Sequence, residues 1–301
     1  MTLRHLKIFL EVCRSGGITA AAEKLGLAQP AVSLAVRELE DSCGVRLFDR
    51  ISRRLYLTED GEELLKYARQ IVSLCGEAED HVRNRNGLRR LRVGSSITIG
   101  TCLMPGYVGK FATRYPQVKV CVTIDSSAAI EKKILADELN FALVEGMVHS
   151  ESMIARRFLK DRLVLVCGAG HPFSKREQIS LDELAGQTLI LREKGSGTRQ
   201  LFDSTLLTHG LTLEPDWESV STQAIVGAVA AGLGVSVLPY RLVERDLAEG
   251  RLRSVKIEGV EFNRYFYLIY HKDKHLSESA LAFLECTGIA QNISAQNEPV
   301  L

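Results

Sequence analysis

The sequence contains no apolar run near the roughly 20 residues a membrane-spanning helix requires. It also lacks the apolar N-terminal stretch and small-residue cleavage site of an exported protein, so no membrane partner is expected and the expected location is the cytoplasm. Net charge is almost absent. The 38 Lys and Arg are balanced by 37 Asp and Glu, so a nucleic-acid surface has to come from a local patch. The seven cysteines show no CxxC pair and no His/Cys metal-ligand spacing, and they read as reduced thiols. No P-loop, dinucleotide GxGxxG or Ser/His/Asp arrangement stands where catalysis needs one. Neither cofactor nor metal is expected, and 301 residues leave room for roughly two or three compact units.

What is present begins with Thr19 to Arg50, which fits a helix-turn-helix. Ala22 is small where two helices cross, Gly26 follows at the turn, and Val32 lies on the buried side of the second helix, with Leu25, Leu27 and Val36 completing the core. Pro30 suits the first turn of a helix starting near Gln29, where its missing N–H costs nothing. Gln29, Ser33 and Arg37 then face outward, and these types hydrogen-bond base edges or phosphates in a major groove. Leu3, Leu6, Phe9, Leu10 and Cys13 make a first helix beneath the pair. In GVRLFDRISRRLYLT, Gly44 to Thr58, Leu47 and Phe48 are for burial. Arg50, Arg53 and Arg54 surround a turn, and Leu55 to Leu57 form a strand: a wing whose arginines suit phosphate contact. A plain helical hairpin with a polar face is the alternative.

Thr58 as N-cap and the acids Glu59, Asp60, Glu62 and Glu63 open a long helix. Leu64, Ala68, Ile71, Cys75, Ala78 and Val82 recur along it at heptad steps, a seam for a second copy. A basic hinge runs from His81 to Arg92. Beyond Leu91, short strands alternate with helices, the pattern of an α/β unit with a largely parallel sheet. Thr98 to Tyr115 is expected as one helix, Leu163 to Cys167 as the first strand of a second lobe, and Tyr265 to Tyr270 as a strand returning to the first. Gln291 to Leu301 show no periodicity.

Leu3 to Thr58, with AAEKLG, QPAVS, LE, GVRLFDR and LT in order, resembles the DNA-binding end of LysR-type transcriptional regulators, and the similarity extends to about Glu285. The resemblance implies an α+β protein: an N-terminal winged helix-turn-helix, a long linker helix and a C-terminal two-lobed α/β effector domain like the periplasmic binding proteins. The expected limits are 1–58, 59–90 and 91–301, with lobe I at about 91–162 and 268–290 and lobe II at about 163–267. Implied partners are a double-stranded DNA operator, a small-molecule effector, a second copy through the linker helix (a homodimer or homotetramer) and RNA polymerase. Pro30 and Leu34 join the DNA-facing set. Leu34 stands where many relatives carry an arginine, which implies that one polar contact is either absent or replaced by an apolar contact to a thymine methyl.

The strongest small-molecule signal is KGSGTR, Lys194 to Arg199, between a strand and a helix. Gly195 lets the backbone turn its N–H groups inward, Ser196 and Thr198 add hydroxyls, and Arg199 can fork onto an anion. Ser95, Ser96 and Thr98 offer a second donor set, Ser126 opens another helix, and Thr222 a further one. Glu145, at the end of its strand, is expected at the rim, as partner to Arg199 or acceptor for a ligand. Together they suggest an anionic metabolite between the lobes. GSGTR with VEG resembles a subgroup that senses small oxyanions or phosphorylated and carboxylated metabolites. A thiol-redox-responsive factor of the same architecture, and an enzyme holding a phosphorylated substrate in the GSGTR loop, are the competing functions.

Overall fold

The computed structural model describes residues 1–51, 54–83, 89–146, 148 and 150–295. The chain divides into two units, Met1–Arg89 with Lys272–His275, and Arg90–His271 with Leu276–Leu301. Among the described residues no helix is long and apolar enough to cross a membrane.

In the first unit, Thr2 caps the helix Leu3–Ser15, its hydroxyl accepting from the His5 N–H at 3.2 Å. The helices Ile18–Leu25 and Gln29–Cys43 meet at Gly26, whose φ of +63° is cheap only for glycine and lets its N–H reach the Ala22 and Glu23 carbonyls. Ala21, Ala22, Val32, Val36 and Leu39 close a core with Leu6, Phe9 and Val12. The wing is the antiparallel pair Phe48–Ile51 and Arg54–Leu57. Glu40 ties it to the second helix of the motif, one carboxylate oxygen accepting from the Leu47 N–H at 2.8 Å and the Phe48 N–H at 3.2 Å. Thr58 opens the long helix Glu59–Arg83, accepting from the Gly61 N–H at 3.0 Å while donating to the Arg46 carbonyl at 2.7 Å.

The expected heptad seam is partly taken up inside the first unit. Leu64 and Ala68 belong to the first unit's own core, where the helix docks on Leu3–Ser15. The apolar residues left exposed are Tyr67, Ile71 and Leu74, at 56%, 38% and 67% exposure, with Ala78 continuing their spacing. At 3.6 residues per turn one helix carries two such stripes, and docking takes the nearer one. The Val82 side chain and residues 84–88 of the basic hinge lie outside the described residues.

Among the described residues the second unit is built on one eight-stranded sheet. Its order is Val118–Asp125, Arg89–Ser96, Phe141–Glu145, Phe262–His271, Met153–Gly168, Leu252–Ile257 and Gln178–Ile179, with Val235–Pro239 also pairing with Met153–Gly168. Two long strands organise it. Met153–Gly168 and Phe262–His271 pair antiparallel from Met153 with His271 to Leu163 with Phe262, and pass through both lobes. Lobe I is cored by Phe111, Phe141, Phe158, Phe266 and Phe283, lobe II by Phe173, Phe202 and Phe262.

Several expectations are corrected here. The sheet is mixed: parallel pairing joins Arg89–Ser96 to Phe141–Glu145 and Leu252–Ile257 to Gln178–Ile179, whereas the two through-running strands pair antiparallel with their neighbours. The strand expected at Leu163 begins at Met153; the charges from Arg156 to Arg162 interrupt its apolar pattern without ending it. The helix expected over 98–115 breaks at Leu103 into Ile97–Cys102 and Met104–Arg114, which places Pro105 in a first turn rather than a helix interior. Of the C-terminal stretch, residues 291–295 belong to a helix, Ile289–Ala295, with Ile289 buried in the lobe I core, and residues 296–301 lie outside the described residues.

Candidate functional site

The helix Gln29–Cys43 buries Val32, Ala35, Val36 and Leu39. Its opposite side leaves Gln29, Pro30, Leu34 and Arg37 exposed and Ser33 half-buried, the i, i+4 spacing stacking them along one face. Leu34 is 53% exposed, an apolar side chain standing among polar ones. Arg53 lies outside the described residues, as do the side chains of Arg50 and Arg54.

The second site lies where the lobes meet. Glu145 ends the strand Phe141–Glu145, and its carboxylate is buried, not at a rim. One oxygen accepts from the Ser96 hydroxyl; the other accepts from the Thr98 hydroxyl at 3.0 Å. Its carbonyl accepts from the Ser127 hydroxyl at 2.9 Å. Gly197, from the lobe II helix Gly197–Thr208, sits against it so closely that a Cβ there would lie 2.6 Å from the Glu145 carbonyl oxygen. Burial pushes the Glu145 carboxyl above its ordinary range, opposed by the Arg264 charge, the Thr98 hydrogen bond and Arg192, and reinforced by Asp161.

Arg264 joins the two lobes. Its guanidinium donates to the Thr198 hydroxyl of lobe II at 3.2 Å and to the Thr98 hydroxyl of lobe I at 3.3 Å. It forks onto Asp161 at 2.8 and 2.7 Å and stands 3.8 Å from Glu145. Thr98 is therefore a relay, accepting from Arg264 and donating to Glu145. A second buried arginine, Arg192, donates to Glu193 at 2.7 and 2.9 Å and to the Thr222 hydroxyl at 3.4 Å.

Of the residues expected from the sequence, Ser96, Thr98, Glu145 and Thr198 come together in this network, with Thr222 beside it on Arg192. Ser95 is buried and donates to the Ser96 carbonyl at 3.0 Å. Ser126 caps the helix Ser127–Leu135, and Ser196 caps Gly197–Thr208, accepting from the Thr198 N–H. Gly195 adopts φ +92° in the loop before that helix. Arg199 is directed elsewhere. It holds Asp203 at 2.8 and 2.9 Å, Glu218 at 3.4 Å and the Arg192 carbonyl at 3.3 Å, with Glu214 at 3.7 Å, so the carboxylates facing it are these three, not Glu145. A groove of ≈ 500 Å³ runs between Ser127–Leu135 and Gly197–Thr208, lined by Ser127, Lys194, Gly195, Arg199 and Gln200 among others. Among the described residues no group of three or more His, Cys, Asp or Glu is placed to hold a metal ion.

Residues 3–62 match the family described as bacterial regulatory helix-turn-helix protein, lysR family, and residues 85–288 match the LysR substrate binding domain. The chain belongs to the LysR family of DNA-binding transcriptional regulators. The HTH-type transcriptional regulator YeiE of Escherichia coli K12 is 35% identical over 285 residues, covering 95% of this chain and 96% of that protein. Full-length OxyR from Pseudomonas aeruginosa matches in fold with a TM-score of 0.65 at 21% identity, covering 99% of both chains. The regulatory domain of CcmR from Synechocystis in complex with 2-PG matches with a TM-score of 0.62 at 26% identity, over 70% of this chain and 99% of that one.

Within this LysR chain, Arg264, Asp161 and Arg192 are the site residues that sequence reasoning misses. No local signal marks them: Asp161 stands among Arg156, Arg157, Lys160 and Arg162 in a strand whose positions from 156 to 162 are a mixture of buried and open ones.

Proposed function

We propose that this LysR-family regulator responds to a small anionic metabolite held at the junction of its two lobes. The observation that carries this reading is Arg264, whose guanidinium reaches a hydroxyl of each lobe, Thr98 and Thr198. A ligand oxygen placed there makes contacts to both lobes at once, so its binding energy depends on their mutual position. The CcmR regulatory domain in complex with 2-PG supports an anion as the ligand class.

The same reading makes the chain a dimer on DNA, joined through the exposed stripe Tyr67, Ile71 and Leu74 of the long helix. Gln29, Ser33 and Arg37 address base edges and phosphates, and the wing arginines address the backbone. A redox sensor is less well supported: burial pushes the Cys13 thiol up to about 12 and raises Cys102 and Cys167, opposite to an activated thiolate.

A thermal-shift screen of small oxyanions, including 2-PG and sulfate, on the full-length protein tests the anion site, because a ligand that binds the folded state raises its melting temperature. At least one anion should stabilise the wild type and lose most of that effect on Thr198→Val. Equal shifts in both proteins would place the binding elsewhere; no shift with any anion would remove the reading.

A further inference from the structure

Resting on that anion-site reading, we infer that Glu145 couples ligand binding to a proton: the effector is a small oxyanion that enters together with one proton, taken up by Glu145. The Glu145 carboxylate holds the donors that an oxyanion needs. Ser96 and Thr98 both give it their hydroxyl protons, and Arg264 lies 3.8 Å away. It is a resident anion in an anion site.

The charges facing it explain why it does not simply stay ionised when a second anion arrives. From the strand Phe262–His271 comes Arg264, already forked onto Asp161 of Met153–Gly168. From Ile190–Arg192 comes Arg192, already held by the adjacent Glu193. Arg241, on the helix Tyr240–Ala248, is 3.6 Å from Asp161 and shares that carboxylate. Ile97–Cys102 contributes Thr98 and the thiol of Cys102, Ser127–Leu135 contributes the Ser127 hydroxyl, and Gly197–Thr208 contributes Thr198 and the backbone of Gly197. Arg264, Arg192 and Arg241 thus stand against Asp161, Glu193 and Glu145, a balanced set in which an arriving oxyanion is one negative charge too many.

Nor does the side chain have room to leave. A Cβ on Gly197 would lie 2.8 Å from the Glu145 Cγ, so the lobe II helix closes over it. Two carboxylate-like groups sharing one dry site cannot both remain charged. Neutralisation resolves the conflict: a solvent proton binds Glu145, its O–H then donates to the ligand, and the Ser96 and Thr98 hydroxyls rotate to do the same. Burial already holds this carboxyl above its ordinary range, which lowers the cost of protonation. The ligand class follows: an oxyanion that offers acceptors to the hydroxyls, to Arg264 and to a carboxylic acid.

The test is calorimetric titration of the full-length protein with sulfate and with 2-PG between pH 5.5 and 8, in two buffers of different ionisation enthalpy. Wild type should take up about one proton more per bound anion than Glu145→Gln, a difference in which the ligand's own titration cancels. Sulfate keeps a fixed charge over this range. Its affinity for wild type should fall by up to about tenfold per pH unit above the Glu145 transition, and that slope needs no variant. Binding with equal proton uptake in both proteins, or a flat sulfate profile in wild type, overturns the coupling while leaving the anion site standing. Failure of both anions to bind at any pH overturns the anion site itself.

Discussion

Arg264 and Arg199 are both buried arginines, and their surroundings assign them different work. Arg264 sits on Asp161, whose side chain is also buried, and spends its remaining N–H groups on a hydroxyl from each lobe. Arg199 ends among three partly or fully exposed acids, Asp203, Glu214 and Glu218. Arg199→Ala is therefore expected to lower the melting temperature and leave anion affinity within about twofold. Arg264→Ala leaves the buried Asp161 with only the partly exposed Arg241 at 3.6 Å and should cost about 3 kcal/mol of stability. Arg264→Lys keeps the charge but not the fork, and should fold while losing much of its anion affinity. Calorimetry with melting curves on these variants separates the roles; an affinity loss confined to Arg199→Ala would reverse them. Glu145 adds a pH signature in the free protein. Because its folded pKa is raised, the folded state holds more protons than the unfolded one, and stability falls as pH rises from the ordinary carboxylate range through the raised value. Glu145→Gln should accordingly gain more melting temperature at pH 7.5 than at pH 5; an equal change at both would contradict the raised value. Ser96, Thr98, Ser196 and Thr198 are legible in the sequence because hydroxyls between a strand and a helix are local signals. Arg264 and Asp161 are not, because their meaning arises only when residues 103 apart in sequence meet across two strands.

The long helix Glu59–Arg83 shows how an element can satisfy two patterns at once. Its first turns dock on Leu3–Ser15 through Leu64 and Ala68, and Gly61 passes so close to the Leu47 carbonyl that a Cβ would lie 2.2 Å from that oxygen. The acids after Thr58 make the helix legible, but a heptad count does not say which stripe the domain itself consumes. Ile71, at 38% exposure, belongs to the stripe left open. Ile71→Asp should keep the fold of the first unit and shift the protein toward monomer in sedimentation, whereas Ala68→Asp should unfold that unit. An unchanged oligomer in Ile71→Asp would show that the stripe joins nothing. The recognition helix is simpler: Pro30 and the Val32, Val36 and Leu39 row fix its rotation, and its polar side follows. Gln29→Ala should relax sequence preference by about 1–3 kcal/mol, against a near-uniform loss for Arg37→Ala on specific and random duplexes. Binding curves on both duplex types decide; equal losses of preference would count against this division.

At the scale of the whole molecule, the domain order is legible from residue 3 onward, because the motif set, the helix and the strand–helix alternation come in sequence. The crossing strands are not, because charges within Met153–Gly168 break the apolar rhythm that would have shown one strand instead of a lobe boundary. On the proposed reading those strands carry the response to the ligand. They run through both lobes, and Arg264 rises from one of them to touch each lobe's hydroxyls, so a ligand there has a physical route to the arrangement of the effector domain. The measurement that tests this most directly is anisotropy and footprinting of the full-length protein on a DNA site selected in vitro from a random pool, with and without anions from the thermal-shift screen, for wild type and Arg264→Lys. The expected result is that an anion which stabilises wild type changes its affinity or its footprint, and that Arg264→Lys binds the same DNA but responds far less. Identical DNA binding with and without every stabilising anion, or an undiminished response in Arg264→Lys, would contradict the claim that the lobe junction is where this regulator reads its ligand.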